Sequence, residues 1–230
     1  MEPTAAYTIG RFQPPTLGHV RMIDAMLEKA KGAPTFVFIS AVSEYIPPAM
    51  KEEYLRKMLT RNGVFPANLT LVDTSKCETP CGGPLGGFGY LKDRGMVGPE
   101  VLLFVGGDRI TFDPKSAPMW STIPAEERPT MQILPRVGEG AATFSSTDAR
   151  KAVVTSGDLS MYLQDGTNAL AQKDIDRMQS TLMKSLSKPA KKKGGADIDS
   201  VLDDELDGGR RRRHTRRARR TRKHKPRFVR

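Results

Sequence analysis

A chain of 230 residues, 38% of them apolar, suits one packed domain with appendages. Its net charge of +11 is concentrated at one end: residues 210–230 hold eleven Arg, two Lys and no acid, which leaves residues 1–209 at −2. A charge argument for polyanion binding therefore applies to that end alone, and with no apolar run near the ~20 residues that span a bilayer and no signal-peptide pattern, a soluble, intracellular protein without membrane contact is expected.

In chain order, residues 5–10 read as a first strand and 18–31 as a helix, with Ile23, Met26, Leu27 and Ala30 at the spacing of one buried face. Residues 35–42 form a continuous apolar run, as in a central parallel strand. Pro47 and Pro48 end the next loop. A helix is expected from Lys51 to Arg61, closed by Asn62-Gly63, with Lys51 on its solvated face. Residues 69–72 read as a third strand.

The segment 77–99 is rich in glycine, and a short helix over 84–94 is weakened by its internal glycines. Cys77 and Cys81 lack the four ligands of a structural zinc site, since two of the three histidines lie in the tail. Two reduced thiols in a loop are expected, with a local disulfide as the alternative. Residues 101–105 and 131–134 complete a sheet of about five strands, and Trp120 is expected to pack in the core or a loop. Helices are expected from Ser146, over 158–163 and over 171–187. This alternation implies an α/β fold: a parallel sheet with helices on both faces. Residues 1–188 are read as the domain, 189–209 as a flexible linker and 210–230 as a disordered Arg-rich tail.

Three segments sit where strands end and helices begin: Gly10 to His19, Gly106-Gly107-Asp108-Arg109, and Ser145 to Arg150. In a parallel sheet all three lie at the carboxyl edge, where α/β proteins hold ligands. Glycines let a phosphate approach the backbone, while helix N-terminal amides, hydroxyls and guanidinium groups donate to its oxygens. Each residue also has a plainer reading. His19 could simply start a helix, Ser146-Thr147 could simply cap one, and Gly106-Gly107-Asp108 could be an ordinary turn.

Together, Gly-Arg-Phe-x-Pro-x-Thr-x-Gly-His and the later Ser-Ser-Thr-x-x-Arg resemble the motifs of the HxGH/TxGH nucleotidylyltransferase superfamily. The opening Gly10-Arg11-Phe12-Gln13-Pro14 is most similar to the archaeal-type nicotinamide mononucleotide adenylyltransferases and their viral, cytidylyltransferase-like relatives, and the resemblance runs from about Ala6 to Leu186. It implies a Rossmann-like nucleotidylyltransferase fold. The implied reaction is attack of an acceptor phosphate on the α-phosphate of ATP or CTP, with loss of pyrophosphate. Nicotinamide mononucleotide is the favoured acceptor and a cytidylyltransferase for a small phosphate monoester the alternative. A non-catalytic nucleotide- or nucleic-acid-binding protein is the alternative of another class.

By the same resemblance, His19 would donate to the α-phosphate, and Thr16 stands where many members carry a first histidine. Arg150 with Ser145, Ser146 and Thr147 would hold the β- and γ-phosphates. Gly10, Arg11, Phe12 and Gly18 would line the pocket, and Gly107 and Asp108 would lie near the nucleoside. Mg²⁺ would be held mainly by the substrate phosphates. Ile46-Pro47-Pro48 departs from the family's Asn-Pro-Leu-like sequence at the segment that often helps choose the acceptor. The Gly-Gly-then-Arg end resembles those of proteins from large DNA viruses. It fits nonspecific nucleic-acid contact or targeting rather than sequence reading, because Phe228 is its only aromatic.

Overall fold

The computed structural model describes residues 2–106, 110–134 and 144–187, which fall in one compact unit, Met1–Lys188. The expected linker and Arg-rich tail lie outside the described residues. Strands β1 (Ala5–Gly10), β2 (Thr35–Ile39), β3 (Leu69–Asp73), β4 (Val101–Gly106) and β5 (Thr130–Leu134) form an all-parallel sheet in the order β3-β2-β1-β4-β5. This is the expected α/β, Rossmann-like architecture.

Successive strand residues face opposite sides, so the apolar runs supply two cores. Ala6, Val37, Ile39, Leu71 and Phe104 face one core, and Tyr7, Phe36, Phe38, Leu103 and Val105 face the other. The first is covered by α1 (Leu17–Ala30), α2 (Pro48–Leu59), α4 (Ser146–Thr155), the short α5 (Ser160–Leu163) and α6 (Gln172–Leu186). The second is covered by α3 (Gly83–Lys92) and the loop carrying Trp120. Full burial of such side chains contributes roughly 1.5–3 kcal/mol each before chain entropy is counted. No helix among the described residues is long and apolar enough to cross a membrane.

Several boundaries shift for local reasons. Helix α2 starts at Pro48 rather than Lys51, with its proline in the first turn, where the missing N–H costs nothing. Strand β2 stops at Ile39, and residues 40–42 continue as loop. The glycines of α3 lower its intrinsic propensity but serve packing: a Cβ at Gly87 would lie 3.2 Å from both Phe38 and Tyr7. Trp120 is fully buried against Phe88, as expected of a packing residue, and its indole N–H donates to the Phe112 carbonyl at 3.0 Å.

The expectation of two reduced thiols is corrected: Cys77 and Cys81 form a disulfide. The turn between β3 and α3 brings their Cα atoms to 6.1 Å, within bridging range.

Strand β1 lies between β2 and β4, so the direction of chain progression reverses beside it. Such a switch point opens a crevice at the carboxyl ends of the strands. Gly10 and Gly106 end β1 and β4 there.

Candidate active site

Gly10 closes β1, and its carbonyl accepts the Ser40 N–H at 2.9 Å. The chain then turns through Arg11 to Pro15 into α1. Phe12 takes a left-handed conformation with φ of 48°, and its ring lies against Gly10, where a Cβ would come within 2.7 Å of it. The expectation that Phe12 lines the pocket is thereby narrowed: it is 2% exposed and packs edge-to-face on His19, with ring centroids 4.9 Å apart. Arg11 is exposed.

Thr16 caps α1 in extended conformation, and its backbone N–H donates to His19 Nδ1 at 3.0 Å. A backbone amide always carries its hydrogen, so Nδ1 is an acceptor. The proton of the neutral imidazole therefore sits on Nε2. Burial lowers the His19 pKa from 6.5 to about 4, which keeps the ring neutral at physiological pH.

The Thr16 hydroxyl is fully buried. It lies 2.9 Å from His19 Nδ1 and donates to the Phe144 carbonyl at 2.5 Å. This bond joins the first motif to the residue preceding the late one. Gly18 permits the approach, because a Cβ there would lie 2.7 Å from the same carbonyl oxygen.

Ser145 is the N-cap of α4. Its hydroxyl accepts the Asp148 N–H at 3.0 Å and donates to the Asp148 carboxylate at 2.6 Å. The Ser146 hydroxyl donates to the Pro14 carbonyl at 2.8 Å. Arg150 donates to the Gln13 carbonyl at 2.6 Å and to the Thr147 hydroxyl at 3.2 Å, and its guanidinium lies over the Tyr45 ring. Two motifs about 130 residues apart thus meet, through the Thr16–Phe144 and Ser146–Pro14 hydrogen bonds. Gly107 and Asp108, expected near the nucleoside, lie outside the described residues, as does Arg109.

Three residues to which the motif reading assigns no role join this network. Gln13 is buried: its side-chain amide donates to the Val42 carbonyl at 2.8 Å, and its side-chain oxygen accepts the Tyr45 N–H at 3.0 Å. Tyr45 thereby joins the loop after β2 to the β1–α1 loop. Lys51 is the third, and its placement corrects the expectation of a solvated position. Its side chain is fully buried, and its ammonium donates to the carbonyls of Ser40, at 2.9 Å, and Val42. Burial lowers its pKa to about 8, opposed by the charge of Asp73 and reinforced by that of Arg11. The signal was present in the sequence: Lys51, Tyr54, Leu55, Met58 and Leu59 share one helical stripe, and all are buried.

No family model matches the sequence, and no curated protein matches it. In fold the chain is similar to the solved structures of Plasmodium falciparum nicotinic acid mononucleotide adenylyltransferase complexed with APC and with NaAD. Each is 12% identical, with a TM-score of 0.50, over 80% of this chain and 96% of that chain.

Proposed function

We propose that the chain is a nucleotidylyltransferase. In this reading it transfers a nucleoside monophosphate, most favourably from ATP, to a phosphate-bearing acceptor, with nicotinamide mononucleotide as the favoured one. The carrying observation is the meeting of Thr16–His19 with Ser145–Arg150 at the switch point, tied by the Thr16 hydroxyl to the Phe144 carbonyl. The shared fold of the solved adenylyltransferase supports the same reading at the level of architecture.

An oxygen of the acceptor phosphate attacks the α-phosphorus as the bond to the bridging oxygen breaks. Pyrophosphate takes the electron pair, and no enzyme-bound intermediate forms. The chain contributes positioning and charge stabilisation. His19 donates its Nε2–H to an α-phosphate oxygen as negative charge develops there. Thr16 and Phe12 fix the tautomer and the ring plane. The first-turn amides of α1 and α4 face the phosphates with the positive ends of their helix dipoles. Arg150 offsets charge on the β- and γ-phosphates. The hydroxyls of Ser145 and Ser146 hold the two motifs in register.

Among the described residues, no three His, Cys, Asp or Glu side chains cluster as metal ligands. The His19 Nε2–H, the first-turn amides and the Arg150 guanidinium are donors rather than metal ligands, so Mg²⁺ would be bound through the substrate phosphates, where it would spread charge on the leaving pyrophosphate.

The test is an assay of ATP and CTP against nicotinamide mononucleotide and a panel of small phosphate monoesters, with products identified by mass. A phosphoanhydride product with stoichiometric pyrophosphate is expected. ATP with nicotinamide mononucleotide supports the favoured pair, and CTP with a monoester replaces it. Nucleotide binding without turnover of any pair overturns the enzymatic reading.

A further inference from the structure

The buried cation at Lys51 is used by none of the steps above. It stands in the first turn of α2, where the helix dipole opposes a positive charge, and in a stripe otherwise filled by Tyr54, Leu55, Met58 and Leu59. Methionine or leucine would pack there without desolvating an ammonium group. Its hydrogen bonds show what the charge does: it draws in the carbonyls of Ser40 and Val42, the start of the loop after β2.

The Val42 carbonyl is shared, because it also accepts from the Gln13 side chain. Gln13 in turn receives the Tyr45 N–H on its side-chain oxygen and Arg150 on its main-chain carbonyl. Arg150 also lies over the Tyr45 ring. Hydrogen bonds therefore run without a break from Lys51 through Val42 and Gln13 to Arg150. Around them are Asp73, which accepts from Ser75 and lies 3.7 Å from Lys76, and the guanidinium of Arg11.

We propose that Lys51 is a positioning residue: by clamping the Ser40 and Val42 carbonyls it fixes Gln13, and through Gln13 it sets Arg150 for the triphosphate. This rests on the nucleotidylyltransferase reading. It makes the loop of residues 40–47 part of the machinery, although none of its side chains belongs to either motif.

The experiment is a double-mutant cycle of Lys51→Met and Arg150→Ala in the full chain. It reads kcat and KM separately, with the nucleotide and acceptor that turn over, and thermal midpoints alongside. Lys51→Met is expected to fold with an unchanged or higher midpoint and to raise the nucleotide KM about tenfold or more. On the Arg150→Ala background the same change should alter KM less than about threefold, because the residue it positions is gone. If Lys51→Met does not fold, Lys51→Gln, which keeps a polar side chain, takes its place in the cycle. A KM unchanged in a folded single variant, or an equal change on both backgrounds, overturns the proposal while leaving the reaction intact. A wild-type chain that turns over no nucleotide and acceptor pair overturns the function and this inference with it.

Discussion

At the residue scale, the proposed chemistry depends on which nitrogen of His19 carries the proton. The Thr16 amide settles this by donating to Nδ1. Burial holds the ring's pKa at about 4 against 6.5 when unfolded. Between those values the unfolded chain takes up a proton that the folded chain refuses, so stability falls as pH drops through this window and is unaffected above it. From pH 7 to pH 5 this contribution is on the order of 1–2 kcal/mol. Urea midpoints should therefore fall further over that range for wild type than for His19→Gln; equal falls would contradict a ring held neutral by desolvation. The kcat/KM profile of the free enzyme should likewise lack an inflection near pH 6.5 from this group. His19 could be found in the sequence because its neighbours form a motif. The sequence does not reveal Lys51 in this way, because an amphipathic pattern identifies a buried position without naming the carbonyls, on another element, that make a buried lysine tolerable.

At the element scale, α6 is the brace behind the late motif. Ile175, Met178 and Leu182 pack into the core beside Ala149 and Val153 of α4. Its start is fixed on α2: the Asp174 carboxylate accepts from Lys57 at 2.7 Å and from the Ala171 amide at 3.0 Å, and the Tyr54 hydroxyl donates to the Asp174 carbonyl at 2.5 Å. Near its other end, Ser185 donates to the Tyr45 carbonyl at 2.9 Å, reaching the loop after β2. Met178→Ala should cost about 2–5 kcal/mol in urea unfolding. Because the cavity lies behind α4, it should also raise the nucleotide KM while the chain remains folded. A loss of about 2–5 kcal/mol with an unchanged KM in the folded variant would separate α6 from the site. The long helices and the core strands were readable because each carries a clear period or an unbroken apolar run. The 3₁₀ turns at Ile110–Phe112, Pro118–Trp120 and Ala125–Glu127 were not, since three residues are too short to show a period.

At the scale of the whole molecule, the strand order follows from alternation of strands and helices only in outline. The reversal beside β1, which sets β1 and β4 side by side at the crevice, comes from pairing between distant segments that no local pattern encodes. The charge division is readable from composition alone, and it predicts separable roles. A chain ending at Pro189 should keep kcat and lose retention on a phosphate-bearing resin. If about eight tail charges contact phosphates, retention of the full chain should weaken roughly 10⁴-fold between ~50 and ~200 mM salt. Loss of activity from the folded shorter chain would place the tail in the reaction. The central claim is that the two motifs form one transfer site with His19 as its donor. Its most direct test is pyrophosphate release by wild type beside His19→Ala at pH 7.5. The account predicts a fall in kcat of about 10²-fold or more in a folded variant, as for the loss of a transition-state donor; unchanged turnover would contradict it.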